Sequence, residues 1–157
     1  MYTGNILVVD DEEQMRDLVS DYLVEMGNAV TVAVNGEDAL QKFDAFRPDL
    51  VLSDYFMPVM NGMTLLQKIR ERDGDVVFML MTGQPGVEMA VDVMKEGAYD
   101  YIVKPFDMDD LRIKIDRALH ARQLKLSVER MRRLLWGVIL PIPVWLLLGI
   151  WLGSRWG

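Results

Sequence analysis

Apolar runs and helical stripes alternate along the first 120 residues. Residues 5–9 read NILVV, a short apolar run closed by acids, which predicts a buried strand. Over 12–26, Met15, Leu18, Val19, Tyr22, Leu23 and Met26 recur at helical spacing, and Gly27 ends the run. Residues 29–34, AVTVAV, predict a second strand. A second helix over 36–46 uses Ala39, Leu40, Phe43 and Phe46, and Pro48 stops it. A third strand is expected at 50–53 and a short helix at 62–70 on Leu65, Leu66 and Ile69. The run VVFMLM at 76–81 predicts a fourth strand, and 87–96 a helix on Val87, Ala90, Val91 and Met94, closed by Gly97. A fifth strand follows at 99–103. Asp107 then caps a long last helix, with Asp109 and Asp110 near the positive end of its dipole. Strand and helix alternate five times, which predicts an α/β class: a doubly wound five-stranded parallel sheet with helices on both faces. Chemistry in such folds collects at the C-terminal ends of the strands.

Composition divides this picture in two. The chain has 157 residues, enough for one ordinary domain with an appendage. It has no cysteine, which excludes disulfides, thiolate nucleophiles and cysteine-ligated metal centres. One histidine, His120, rules out a multi-histidine metal site within a chain, and a helix-surface role is expected for it. The net charge is −7. Residues 1–121 carry 23 acidic and 11 basic side chains, whereas 122–157 carry 1 acidic and 6 basic. The boundaries expected are therefore a globular domain at 1–121, a basic amphipathic helical extension at 122–133 and a hydrophobic tail at 134–157.

The acids sit where that fold would place its chemistry. Asp10 and Asp11 end the first strand, Asp54 the third and Thr82 the fourth, and Lys104-Pro105 follows the fifth. Three converging carboxylates repel one another unless neutralised. A hard cation, Mg²⁺ above all, suits carboxylate, carbonyl and water ligands, and a lysine adds a compensating charge. A carboxylate nucleophile, Mg²⁺, a lysine and a hydroxyl are what phosphoryl transfer to an aspartate requires.

The segments VVDDE at 8–12, SDYFMPVMNG at 53–62, MTG at 81–83 and GAYDYIVKPF at 97–106 closely resemble the receiver domain of bacterial two-component response regulators, the CheY-like family. The resemblance covers about three quarters of the chain. It implies the flavodoxin-like strand order 2-1-3-4-5, with Asp54 as phosphoacceptor for a sensor histidine kinase or a phosphotransfer protein. It further implies Asp11, Asp54 and the backbone carbonyl of Phe56 as direct Mg²⁺ ligands, with Asp10 acting through water. Lys104 would pair with the phosphoryl oxygens across a cis bond to Pro105, and its loss would leave Mg²⁺ binding largely intact. Thr82 and Tyr101 match the family's switch pair. The output surface expected is the face of the fourth helix, fifth strand and fifth helix, toward an unknown protein target. The chain is then a phosphoacceptor, not an enzyme. An aspartyl phosphatase or mutase reading is poorer, because such enzymes place an acid–base aspartate two residues after the nucleophile, where this chain has Phe56.

Beyond the resemblance, Ala121, Leu124, Val128, Met131 and Leu135 recur at steps of 3, 4, 3 and 4, a short heptad-like stripe compatible with a homodimer. Arg122, Lys125, Arg130, Arg132 and Arg133 occupy its polar faces. Residues 134–152 read LLWGVILPIPVWLLLGIWL and, if helical, would span about 28 Å, near the hydrocarbon thickness of a bilayer. The preceding basic cluster and the flanking Trp136, Trp151 and Trp156 fit a membrane anchor. Pro141 and Pro143 leave an interfacial hairpin open, and a soluble relay with an incidental tail is the remaining alternative. The first strand begins at once, so no signal peptide is expected. The expectation is a cytoplasmic receiver held at the inner face of the inner membrane, without nucleic-acid contact.

Overall fold

The computed structural model describes residues 2–139. Five strands, β1 (Asn5–Val9), β2 (Ala29–Ala33), β3 (Leu50–Asp54), β4 (Val77–Thr82) and β5 (Asp100–Val103), alternate with five helices. The helices are α1 (Glu13–Glu25), α2 (Gly36–Phe46), α3 (Gly62–Arg72), α4 (Val87–Lys95) and α5 (Met108–Ile139). All neighbouring strands pair in parallel, in the order β2-β1-β3-β4-β5. This is the doubly wound, flavodoxin-like sheet that the alternation and the resemblance imply.

The period-two alternation of strand side chains divides the core between the two faces of the sheet. Leu7, Val9, Val51, Phe78 and Leu80 pack with Ala39 and Phe43 of α2, Leu65, Leu66 and Ile69 of α3, and Val93 of α4. Ile6, Val8, Leu50, Leu52, Met79 and Met81 pack with Val19 and Leu23 of α1 and with Leu111, Ile115 and Ala118 of α5. The helix ends follow their local chemistry. Asn35 accepts from the N–H groups of Glu37 and Asp38, and Asn61 from that of Thr64. Asp107 accepts from the N–H of Asp109 at 2.8 Å, the cap read from the sequence. Gly27 and Gly97 stop α1 and α4 with φ of 87° and 91°.

One helix faces the other way from its apolar stripe. The sequence gives Val87, Ala90, Val91 and Met94 as the packing side of α4. Instead Val87 is 83 % exposed, and Val91 and Met94 are also open, while Val93 is the residue fully buried. Met89 packs beside Val93 against the core.

Residues to Arg122 form one compact unit and those from Gln123 another. Within the first, the Arg122 guanidinium donates to Asp49 Oδ1 at 3.1 Å and to the Asp75 carbonyl at 2.6 Å. The Tyr2 ring stacks on His120, with centroids 4.4 Å apart, so the single histidine has an aromatic partner and does not simply face solvent. From Gln123 the helix continues through the basic stretch. Among the described residues, no helix is long and apolar enough to cross a membrane. The expected membrane segment lies, beyond residue 139, outside the described residues.

Candidate phosphoryl-acceptor site

Parallel strands bring their C-terminal ends to one edge, and there β1, β3, β4 and β5 deliver their polar residues. One carboxylate oxygen from each of Asp10, Asp11 and Asp54 lies within 4.8 Å of the others. Asp10 is 1 % exposed and Asp54 is 8 % exposed, while Asp11 is open to solvent. The Lys104 ammonium sits 2.7 Å from Asp10 Oδ2 and 2.9 Å from Asp54 Oδ1, bridging the two buried acids. The peptide bond from Lys104 to Pro105 is cis, as the resemblance implies.

Backbone bonds lock these side chains in place. The N–H of Glu12 donates to Asp10 Oδ1 at 2.9 Å, and Arg16 Nη1 donates to the Asp10 carbonyl at 2.9 Å. The N–H of Lys104 donates to the Thr82 carbonyl at 2.7 Å, which ties the lysine to the end of β4. Thr82 is fully buried, and its Oγ1 accepts from the N–H of Gln84 at 3.2 Å. Tyr101 packs, partly buried, against the core and lines an open cavity of about 790 Å³ with Pro85, Val87, Val91 and Met94.

The electrostatics carry opposing pressures. Burial pushes the Asp54 carboxyl above its ordinary value. The Lys104 bond and charge pull it back, and Asp10 and Asp11 push it up again, leaving the net shift upward. For Lys104, burial works to lower the ammonium's pKa. The bonds and charges of Asp10 and Asp54 outweigh it, so the net shift is upward. The pocket holds more negative charge than one lysine balances. Three oxygen-donor carboxylates within one ion's reach form a donor set that fits a hard divalent cation.

The loop after β3 makes close contacts that residue spacing alone does not show. A Cβ on Gly62 would lie 2.3 Å from the Asp54 carbonyl oxygen and 2.7 Å from Leu80 Cδ2. Gly62 is therefore required by close approach, not merely suited to a turn. The requirement at Gly62, eight residues after Asp54, shows only in that contact, whereas Gly83 has open space around it. Val59 adopts φ of 68°, a strained value for a β-branched residue. Phe56 lies two residues past Asp54 with its ring 54 % exposed, in edge-on contact with Tyr55 at 4.7 Å. Tyr55 is half-buried against the core. Met57 is buried in the core and Met60 packs against Gly36, so these methionines serve packing. Arg16, on α1, had no sequence signal beyond its charge.

A parallel sheet in this order, with an acid pocket, a bridging lysine and a buried threonine at one edge, defines a domain of the receiver type. The response regulator receiver domain family matches residues 6–116, and the chain belongs to that family. The regulatory protein AtoC of Escherichia coli K12 is 37 % identical over 142 residues, covering 87 % of this chain and 31 % of AtoC. The DNA-binding transcriptional regulator NtrC of Proteus hauseri is 34 % identical over 126 residues, covering 80 % of this chain and 27 % of NtrC. The chain thus spans less than a third of these relatives. A receiver domain protein from Clostridium thermocellum superposes with a TM-score of 0.73 at 32 % identity, covering 77 % of this chain and 98 % of its own. Receiver domains accept phosphoryl groups in two-component systems, from sensor kinases or phosphotransfer proteins, and typically bind Mg²⁺ at an acidic pocket.

Proposed function

We propose that this chain accepts a phosphoryl group on Asp54 and signals by protein contact, without being an enzyme toward other substrates. The observation that carries the reading is the Asp54 carboxylate, bonded to Lys104 at 2.9 Å and gathered with Asp10 and Asp11 at one sheet edge. Asp10, Asp11, Asp54 and the Phe56 carbonyl would hold Mg²⁺, which when bound neutralises charge on the acceptor and the incoming phosphoryl oxygens. An Asp54 carboxylate oxygen attacks phosphorus, the bond from phosphorus to the donor's nitrogen or oxygen breaks, and an acyl phosphate forms. Lys104 leaves Asp54 for the new phosphoryl oxygens while keeping Asp10. The Thr82 hydroxyl, released from Gln84, turns toward the same oxygens, and Tyr101 moves inward behind it.

The output face in this reading is α4–β5–α5. Its support is the outward stripe of Val87, Val91 and Met94 beside Tyr101, an apolar surface next to the moving residues. The −12 charge of residues 1–121 supports a protein target over nucleic acid. The sequence of the tail supports tethering at the cytoplasmic face of the inner membrane. Incubation with Mg²⁺ and a small phosphodonor is expected to add one hydroxylamine-sensitive phosphoryl group, lost in Asp54→Asn. Undiminished labelling of that variant would refute the assignment. For the tether, the full chain is expected in the membrane fraction and residues 1–122 in the soluble one; a soluble full chain would remove it.

A further inference from the structure

Among the described residues, five polar side chains are buried: Asp10, Asn28, Ser53, Asp54 and Thr82. Asp10, Asp54 and Thr82 belong to the pocket. Asn28 lies at the other end of the sheet, where it donates to the Leu23 carbonyl and accepts from the N–H of Gly4. Ser53 takes no part in the phosphoryl transfer described above. It is nevertheless 0 % exposed, in a strand that reads LVLSD and is buried throughout. A buried hydroxyl costs desolvation that alanine would avoid, and its hydrogen bond is what offsets that cost.

That bond falls on the backbone of the phosphoacceptor. Ser53 Oγ donates to the Asp54 carbonyl at 2.9 Å. On the other edge of the same peptide unit, the N–H of Tyr55 donates to the Met81 carbonyl at 2.8 Å. In the next unit, the Tyr55 carbonyl accepts from the N–H of Gly62 at 3.0 Å. The first unit is thus held on both edges and the second on one. With planar peptides and two soft dihedrals per residue, these two units set the path from Asp54 to Phe56.

We propose that Ser53 is a positioning residue for the divalent cation: by holding the Asp54 carbonyl, it fixes the spacing between the Asp54 carboxylate and the Phe56 carbonyl. The proposal rests on the reading of those two groups as Mg²⁺ ligands. Its consequence is a choice between ions. Mg²⁺ demands near-ideal octahedral geometry at about 2.0–2.1 Å, whereas Ca²⁺ accepts oxygens at about 2.3–2.6 Å in flexible arrangements. Loosening the spacing therefore weakens Mg²⁺ more than Ca²⁺, whereas a general loss of stability weakens both alike.

Calorimetric titration of the full chain in non-ionic detergent, with Mg²⁺ and separately with Ca²⁺, reads both dissociation constants. The parent protein is compared with Ser53→Ala, which removes one oxygen and adds no bulk, and with Ile115→Val, a buried substitution on α5 outside the pocket. In Ser53→Ala the Mg²⁺ constant is expected to rise about fivefold, the net worth of one hydrogen bond, and the Ca²⁺ constant by less than about twofold. Ile115→Val is expected to lower the urea midpoint and leave the ratio of the two constants unchanged. The proposal is overturned if Ser53→Ala keeps the parent's ratio, or if Ile115→Val shifts the ratio to the same extent. Either result leaves Mg²⁺ binding by the parent intact. A parent protein that binds no Mg²⁺ would overturn the reading of the ligands as well.

Discussion

Replacing Lys104 by methionine removes the cation that bridges the pocket while keeping the length and apolar stem of the side chain. Its ammonium is bonded at 2.7 and 2.9 Å to the carboxylates of Asp10 and Asp54, both buried. Removing one partner from a buried ion pair costs about 3–5 kcal/mol, because the remaining charge is left without compensation. Here two carboxylates lose their partner together, and the loss falls at the upper part of that range. The upward shift of Lys104 fixes the pH window: the stabilisation is fully present below the ordinary lysine value and is lost only as pH rises through the higher folded-state value. The deficit of Lys104→Met is therefore expected to stay constant between neutral and mildly alkaline pH. Mg²⁺ reverses part of it. The variant offers the ion three carboxylates with no competing ammonium, so its Mg²⁺ dissociation constant is expected to fall about tenfold, or about 1.4 kcal/mol. At Mg²⁺ one hundred times that constant, binding adds about 2.7 kcal/mol to the variant and about 1.4 kcal/mol to the parent protein, so the deficit narrows by about 1.3 kcal/mol. Urea unfolding of both proteins, with and without Mg²⁺, reads these quantities directly. An equal deficit under both conditions, or weaker Mg²⁺ binding by the variant, would refute the placement of Lys104 as the pocket's internal counter-ion.

Three further outcomes test other contacts. Asp54→Asn is expected to stabilise the domain at neutral pH without Mg²⁺. Burial raises the Asp54 pKa in the fold, so its charged form is the disfavoured one, and the gain should fade as pH falls through the raised value toward the ordinary carboxylate range. A gain that persists undiminished in acid would contradict this. Gly62→Ala drives a Cβ to 2.3 Å from the Asp54 carbonyl and is expected to cost about 3 kcal/mol in denaturant unfolding and to slow labelling, whereas Gly83→Ala should cost almost nothing. Val59→Asn relieves a positive φ at an exposed position and is expected to raise stability by about 1 kcal/mol; a loss would show that Val59 makes a needed contact.

Periodicity made the sheet legible. The buried runs of β1, β3 and β4 are continuous and apolar, and α1, α2 and α4 stop at a glycine or just before a proline. The acid pocket was legible because parallel strands must align their C-terminal ends, so residues at four strand ends meet without any contact map. What periodicity did not convey was direction. In α4 the apolar stripe and the buried stripe differ by a rotation of the helix, and only packing against β4 and β5 selects Met89 and Val93 for the core. Position in a loop is equally silent about approach distance. Gly62 and Gly83 look alike in sequence, yet one touches a backbone oxygen and the other meets nothing within 4 Å. Lys104 was legible as a cation near the acids, but its simultaneous grip on Asp10 and Asp54 depends on how far two strands are splayed. That distance makes cation binding and lysine position one coupled equilibrium, which the sequence alone treated as separate.

Reductive trapping tests the central claim most directly. Borohydride converts an aspartyl phosphate to homoserine, so the full chain is incubated with Mg²⁺ and a small phosphodonor, reduced, digested and sequenced by mass spectrometry. Homoserine at position 54 alone is the predicted result. Homoserine at position 10 or 11, or none anywhere in a chain that has taken up Mg²⁺, would contradict it.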